Sequence, residues 1–164
     1  MDAGNVHSER VGATGPQRIS ANLPIILTKL TGSSSTTDPI EPTKQPRRIL
    51  IVDDDKDGVA SLSMLLTMVG HETNVAHDGL EAVDAAEKFQ PHIVLLDLGL
   101  PKFDGYEVCR RIRSADWGRS MMLVAVTGWA DEAHRTQALE AGFDMHLVKP
   151  VSAEVFMTVL AAAS

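Results

Sequence analysis

The stretch that decides the fold is Ile93-Val94-Leu95-Leu96-Asp97, which is followed by Leu98-Gly99-Leu100-Pro101. Four consecutive apolar residues predict a strand that is covered on both faces, as in a parallel sheet. A carboxylate at the end of such a strand is costly to bury unless another group pairs with it. The fold should therefore bring further polar residues to Asp97.

From Arg47 onward the chain alternates between strand patterns and helix patterns. Strands are predicted over Ile49–Val52, Asn74–Ala76, Ile93–Leu96, Met121–Val126 and His146–Val148, with Asn74–Ala76 at an edge. Helices are predicted from apolar residues at helical spacing, among them Val59 to Val69, then Leu80, Val83 and Phe89, then Tyr106, Cys109 and Ile112, then Glu132–Ala141, and finally Val155 to Leu160. Five β/α units predict an α/β fold, a doubly wound five-stranded parallel sheet with helices on both faces, (βα)5.

Composition divides the chain into two parts. Residues 1–46 contain five of the eight prolines and eleven Ser or Thr, so they bury too little apolar surface to offset their chain entropy. We predict a disordered or flexible arm or linker over residues 1–46 and one globular domain over residues 47–164. The arm holds four basic and four acidic residues, so the domain carries the whole net charge of −7.

Charge and hydropathy exclude several classes of function. An acidic domain argues against direct binding of nucleic acid. The single cysteine, Cys109, allows no disulfide within the chain, which fits a reducing compartment. No apolar run approaches the roughly 18 residues that a membrane span needs. We therefore expect a cytoplasmic protein without a membrane partner.

Polar residues follow the predicted strands at their carboxyl ends. Asp53 and Asp54 follow the first strand, Asp97 the third, Thr127 the fourth and Lys149 the fifth. In an open α/β sheet the functional crevice lies beyond these ends, so the five side chains should converge. Three close carboxylates repel one another, and oxygen ligands of this kind suit Mg²⁺ or Mn²⁺.

The same set of groups meets the needs of phosphoryl transfer to a carboxylate. A carboxylate nucleophile, a divalent cation, the Lys149 ammonium and the Thr127 hydroxyl together position a phosphoryl group and neutralise its charge. Each residue alone has a simpler explanation: Asp53 or its neighbours could cap a helix, Thr127 could end a strand, and Lys149 could be a solvated surface lysine. The joint pattern at the strand ends of one sheet favours the phosphoryl-transfer interpretation.

Five motifs carry a resemblance to a known family. They are Arg48-Ile49-Leu50-Ile51-Val52-Asp53-Asp54-Asp55, the stretch Ile93–Pro101, Asp104-Gly105-Tyr106-Glu107-Val108, Val126-Thr127-Gly128 and Leu147-Val148-Lys149-Pro150. In this order they resemble the receiver domain of two-component response regulators, which has a flavodoxin-like fold. The resemblance covers residues 47–164 and extends to receivers of the single-domain type and of the type found in hybrid sensor kinases.

The resemblance implies a role for each residue of the acidic site. Asp97 would accept a phosphoryl group from a sensor histidine kinase or a histidine phosphotransfer protein. Asp97 would also belong to the Mg²⁺ site. Asp54 would bind Mg²⁺ directly, Asp53 would act mostly through a metal-bound water, and the backbone carbonyl of Gly99 would be a further ligand. Lys149 would contact the phosphoryl oxygens, and its peptide bond to the following proline would be cis.

The resemblance also implies a switch. Thr127 would move inward to bond the phosphoryl group, and His146 occupies the position of a switch residue that is usually aromatic. A half-exposed strand residue without a switching role is the alternative for His146. Trp129, two residues after Thr127, is large enough to shield an acyl phosphate from water.

The sequence thus predicts a phosphoprotein that switches a signalling pathway and is not an enzyme in the ordinary sense, although it can promote its own phosphorylation and dephosphorylation. We expect no output domain on this chain, so that an unknown downstream protein reads the switch. Two rival hypotheses are an aspartyl-phosphate phosphatase and a receiver-like scaffold that only binds partners. The phosphatase typically needs an acidic residue where this chain has Gly99, and the scaffold typically lacks an acidic or lysine position that is present here.

Overall fold

Five parallel strands form the centre of the molecule. The computed structural model describes residues 45–163. The strands are β1 (Arg48–Val52), β2 (Glu72–Ala76), β3 (Ile93–Asp97), β4 (Met122–Thr127) and β5 (Met145–Val148). They lie in the order β2-β1-β3-β4-β5, and every neighbouring pair is parallel. The predicted arm over residues 1–46 lies outside the described residues except for its last two.

Five α-helices follow the strands in turn. They are α1 (Lys56–Met68), α2 (Gly79–Phe89), α3 (Gly105–Ser114), α4 (Glu132–Ala141) and α5 (Ala153–Ala162), and a short 3₁₀ helix, Asp116–Gly118, follows α3. Each α-helix begins with an Asp or Ser whose side chain accepts a backbone N–H of the first turn. None of the helices within residues 45–163 is long and apolar enough to cross a bilayer.

The strands are apolar on both sides because the helices cover both faces of the sheet. One apolar cluster joins alternate residues of β1, β3 and β4 to α2, α3 and α4. The other cluster joins the intervening strand residues to α1 and α5. Leu50 and Ile51, which are adjacent in β1, belong to different clusters. This arrangement confirms the predicted doubly wound, five-stranded parallel fold, with β2 at an edge as expected.

The structure moves the ends of several predicted strands by one or two residues; β4, for example, is Met122–Thr127 where Met121–Val126 was predicted. Strand β2 begins at Glu72, two residues before the predicted start, because its backbone pairs with β1 from Arg48 onward. Leu80, one of the residues whose spacing predicted α2, is 53% exposed. The small side chains of Ala82 and Ala86 pack against the sheet, and both are completely buried in the cluster beneath α2.

Candidate functional site

One ammonium group joins two carboxylates at the carboxyl edge of the sheet. Asp53 directly follows β1, Asp97 is the last residue of β3, and Lys149 directly follows β5. The Lys149 Nζ atom lies 2.9 Å from Asp53 Oδ2 and 3.2 Å from Asp97 Oδ2. Residues that are 96 and 52 positions apart in sequence therefore meet because parallel strands end at the same edge.

Asp54 adds a third carboxylate to this pair. Carboxylate oxygens of Asp53, Asp54 and Asp97 all lie within 4.8 Å of one another. The three differ in exposure: Asp97 is buried, Asp53 is intermediate and Asp54 is exposed. Asp55 has a separate task, because its side chain caps α1 by accepting the Gly58 N–H. Helix capping thus accounts for one of the three consecutive aspartates, and the other two lie in the acidic cluster.

Asp97 is held in a conflicting environment. Burial raises the pKa of its carboxyl group, and the negative charge of Asp53 raises it further. The backbone N–H of Gly99 donates to Asp97 Oδ1 at 3.0 Å, and Lys149 donates to Oδ2, which both act in the opposite direction. The net pKa of Asp97 is raised, so the site disfavours the ionised form of its carboxyl group.

The pKa of Asp53 shifts the other way. Burial raises it, but the hydrogen bonds from Lys149 and from the Asp55 backbone N–H outweigh burial and lower the net pKa. The pKa of Lys149 is raised, because its bonds to Asp53 and Asp97 outweigh the effect of burial. The raised pKa of Lys149 favours its ammonium form, and three carboxyl groups share this single cation.

The residues of the cluster fit a bound Mg²⁺ or Mn²⁺ ion. Three carboxylates offer hard oxygen ligands, and one ammonium cannot neutralise all three. Gly99 leaves space beside Asp97, since a Cβ atom at position 99 would be 3.6 Å from Asp97 Oδ1, an ordinary contact. The chemistry of this donor set therefore suits a divalent cation that retains water ligands.

A cavity of about 660 Å³ lies beside the acidic cluster, between α1 and α5. Asp53, Asp97 and Lys149 line it, and apolar side chains such as Leu62 and Phe156 form much of its remaining wall. This cavity gives a group from another molecule room to approach the Asp97 carboxylate.

Thr127 lies at the end of β4 and is completely buried. Its Oγ1 atom accepts the backbone N–H of Trp129 at 3.1 Å, and its carbonyl accepts the backbone N–H of Lys149 at 2.7 Å. The Trp129 ring stacks on the His134 ring and does not line the cavity beside Asp97. A shielding role for Trp129 over the Asp97 carboxylate stays a prediction.

His146 lies in β5 with its ring half-buried. Its Nε2 atom is buried and has no hydrogen-bond partner within the described part of the chain. Burial lowers the pKa of His146, and the nearby Arg135 and His134 lower it further. The neutral imidazole is thus the form that this position favours, while a switching role for His146 stays a prediction.

Two further contacts near the site had no sequence signal. The Nδ1 atom of His77 lies 3.1 Å from the backbone carbonyl oxygen of Asp53. The stack of Trp129 on His134 joins the loop after Thr127 to α4. Both join residues through the fold rather than through a motif.

The Lys149–Pro150 peptide bond is cis, as expected.

A parallel five-stranded sheet covered by helices on both faces, with carboxylates and a lysine at its carboxyl edge, defines a doubly wound α/β domain with an acidic site, and comparison gives the family. Residues 49–161 match the family model described as the response regulator receiver domain. The chain belongs to this family, as the sequence motifs suggested.

Curated relatives agree with this membership. Response regulator MprA of Mycobacterium avium is 38% identical over 107 residues, which are 65% of this chain and 46% of that protein. MprA of Mycobacterium sp. strain KMS is also 38% identical, over 109 residues. The chain thus spans about half the length of the curated relatives that it matches.

Solved structures show the same fold. The receiver domain of sensor histidine kinase PA1611 from Pseudomonas aeruginosa is 30% identical and superposes with a TM-score of 0.67 over 73% of this chain and all of that domain. That structure has a magnesium ion coordinated in its active-site cleft. A CheY-like receiver domain protein from Methanospirillum hungatei is 28% identical, with a TM-score of 0.66 over 71% of this chain and 92% of that one.

Proposed function

We propose that Asp97 accepts a phosphoryl group from a phosphohistidine of a sensor histidine kinase or a histidine phosphotransfer protein, and that the chain is a switch in a two-component phosphorelay. The observation that carries this proposal is the contact of Lys149 with both Asp97 and Asp53 inside a cluster of three carboxylates. The domain would extend over residues 47–164, with residues 1–46 as an arm or linker, in a cytoplasmic protein.

The reaction is a transfer between two nucleophiles. A carboxylate oxygen of Asp97 attacks the phosphorus atom and forms a P–O bond, while the P–N bond to the donor imidazole breaks. The electron pair of that bond stays on the imidazole nitrogen, which then takes a proton from water. Asp97 becomes an acyl phosphate, and Lys149 Nζ, already beside Asp97 Oδ2, neutralises part of the charge on the phosphoryl oxygens.

Four groups of this chain would hold the divalent cation: the side chains of Asp53, Asp54 and Asp97 and the backbone carbonyl of Gly99. Asp54 would bind it directly, and Asp53 mostly through a water molecule. When bound, Mg²⁺ or Mn²⁺ supplies positive charge that offsets the charge on the transferring group. Asp54 suits direct binding because its side chain is exposed, whereas Asp53 already accepts hydrogen bonds from Lys149 and from the Asp55 N–H.

The acyl phosphate would change the switch residues. Phosphorylation adds roughly −1.5 to −2 units of charge if the acyl phosphate behaves like other phosphorylated residues. Thr127 would move its hydroxyl to the phosphoryl group, and His146 would adjust behind it, which biases an equilibrium between two existing conformations. A downstream protein would read the result, with no direct binding to nucleic acid.

The test uses Mg²⁺ and acetyl phosphate, followed by intact-protein and peptide mass spectrometry. We expect one phosphoryl group on wild-type protein, located at Asp97, and none on the Asp97→Asn variant. Asp84→Asn is the matched control, because Asp84 lies on α2 with its side chain mostly in solvent. An unlabelled wild type, or equal labelling of Asp97→Asn, overturns the proposal. Repeated turnover of a small phosphate ester would instead favour the phosphatase hypothesis.

A further inference from the structure

The loop between β4 and α4 is closed by a pair of aromatic rings. The rings of Trp129 and His134 are 5.0 Å apart between centroids and are inclined by only 14°, which is a stacked arrangement. Trp129 is 49% exposed, so burial in the core does not fix the position of its ring. The His134 ring is the aromatic group on which it stacks. The stack therefore ties the residue two positions after Thr127 to the first turn of α4.

Asp131 fixes the His134 side of this pair. Asp131 caps α4: its Oδ1 atom accepts the His134 backbone N–H at 3.0 Å. Its Oδ2 atom accepts the His134 Nδ1–H at 2.6 Å. One carboxylate thus holds both the backbone and the ring of His134, so the ring offers Trp129 a surface whose orientation is already set.

The Trp129 side of the pair reaches Thr127 through the backbone. The Trp129 N–H donates to Thr127 Oγ1 at 3.1 Å, while the Trp129 ring lies on His134. The same residue thus carries the backbone donor to Thr127 and the ring that stacks on His134. No other side-chain hydrogen bond of Thr127 is recorded among residues 45–163.

We propose that Trp129 and His134 are positioning residues that hold Thr127 in the arrangement of the unphosphorylated protein. This inference rests on the proposed function, in which the Thr127 hydroxyl must turn toward a phosphoryl group on Asp97. That movement requires the hydroxyl to leave the Trp129 N–H. The stack opposes the movement, so it sets how often Thr127 reaches the arrangement that accepts a phosphoryl group.

Loss of the stack between Trp129 and His134 should change how fast Asp97 is phosphorylated. Removing either ring, in Trp129→Ala or His134→Ala, should raise the rate of labelling by acetyl phosphate and the affinity for beryllofluoride, an analogue of the phosphoryl group. Because an aromatic pair contributes modestly, each increase should be about 2- to 10-fold. Trp129→Phe keeps a ring on His134 and should stay close to the wild-type values.

The variants should remain folded. His134→Ala keeps the backbone N–H that Asp131 Oδ1 accepts, so the cap of α4 survives. Gln137→Ala is the matched control for His134→Ala, since Gln137 lies on the same helix and is exposed. Trp117→Phe, made in the wild-type and His134→Ala proteins, leaves residue 129 as the only tryptophan, and its fluorescence then reports directly on the stack when beryllofluoride and Mg²⁺ are added.

A double-mutant cycle with Thr127→Ala separates this role from a general loosening of the loop. If the stack acts through Thr127, His134→Ala should have no effect on the labelling rate when residue 127 is alanine. Equal rates for wild type, Trp129→Ala and His134→Ala would overturn the inference while leaving labelling of Asp97 intact. Persistence of the His134→Ala effect in the Thr127→Ala protein would overturn it as well. An unlabelled wild type would overturn the proposed function itself, and this assignment with it.

Discussion

Two charged clusters lie at opposite edges of the same sheet and differ in how fully their charges are paired. At the carboxyl edge, the single ammonium of Lys149 is shared by an acidic cluster of three carboxylates. At the amino edge, Arg113 at the end of α3 forms an ion pair with Asp144, the residue before β5, at 2.5 Å. The first cluster leaves negative charge uncompensated, and the second does not.

The amino-edge pair also satisfies backbone groups. The Arg113 guanidinium donates to carbonyl oxygens of Gly118, Arg119, Met121 and Gly142. Asp144 Oδ2 accepts the backbone N–H of Leu123 at 2.8 Å as well as the Arg113 bond. This cluster joins α3, the 3₁₀ helix, β4 and the start of β5. Its donors and acceptors are matched, as expected of a structural element.

The two clusters have different roles in the protein. A matched cluster leaves no charge or polar group unsatisfied, whereas an uncompensated group of carboxylates lowers stability unless something binds to it. The acidic cluster therefore costs stability at the place where a cation and a phosphoryl group would bind. The Arg113–Asp144 pair supports the sheet that brings Asp53, Asp97 and Lys149 together.

The largest expected effect is at the amino edge. Arg113→Ala should lower the free energy of unfolding by about 3 kcal/mol, because the change removes an ion pair and leaves several carbonyls without a donor. Urea denaturation followed by circular dichroism measures this loss. Arg110→Ala is the control, since Arg110 is more exposed and pairs only with Glu107 among the described contacts, and it should change stability by less than about 0.5 kcal/mol. Equal losses in the two variants would contradict the structural role of Arg113.

Replacement of an aspartate by asparagine should change the free energy of unfolding in opposite directions at the two edges. Without divalent cations, Asp97→Asn should stabilise the protein by about 1 kcal/mol, because it removes a buried charge that Asp53 repels and whose pKa is raised. Asp144→Asn should destabilise it by about 1.5 kcal/mol, since the charge that pairs with Arg113 is lost. Urea denaturation in the presence of a chelator measures both.

Addition of Mg²⁺ should stabilise only those proteins whose acidic cluster can bind the cation. A cation that binds only the folded protein adds about 2.7 kcal/mol at 100 times its dissociation constant. We expect this gain in wild type and in Asp144→Asn, and a much smaller gain in Asp54→Asn. Destabilisation of the metal-free protein by Asp97→Asn would contradict the view that the acidic cluster lowers stability. Equal stabilisation of Asp54→Asn and wild type by Mg²⁺ would contradict a cation site at this cluster.

The sequence predicted the fold and the acidic site for the same physical reason. Buried parallel strands are continuous apolar runs, and polar residues directly after them must lie at the carboxyl edge. Asp97 and Lys149 could therefore be placed together although they are 52 residues apart. The order of motifs then identified the family, which the matched residues 49–161 confirm.

What the sequence could not predict are contacts without a repeating pattern. Arg113 and Asp144 are 31 residues apart, and nothing distinguishes them in sequence from other surface charges. Periodicity predicted α2 but did not show that Ala82 and Ala86 are its completely buried residues while Leu80 is exposed. The stack of Trp129 on His134 likewise depends on how the loop meets α4.

The smallest expected effect concerns two histidines at the amino edge. His71 precedes β2 and His92 precedes β3, and their Nδ1 atoms accept the backbone N–H groups of Arg47 and Arg48 at 3.2 and 2.9 Å. A protonated imidazole cannot accept these bonds. Burial lowers the pKa of both histidines below the ordinary value of 6.5, and the neighbouring arginines lower it further.

This arrangement makes stability depend on pH in a defined direction. Since the folded-state pKa values lie below the unfolded value, the unfolded chain binds more protons as pH falls below about 6.5, and stability declines toward the lower folded values. The loss should be under about 1 kcal/mol for each residue, because water partly replaces the bonds. Urea denaturation between pH 7.5 and 5.5, values that span the histidine range of about 6.5, measures it. His71→Asn combined with His92→Asn keeps an acceptor that does not titrate in this range, so the slope should flatten. An unchanged slope would assign the acid sensitivity to other groups.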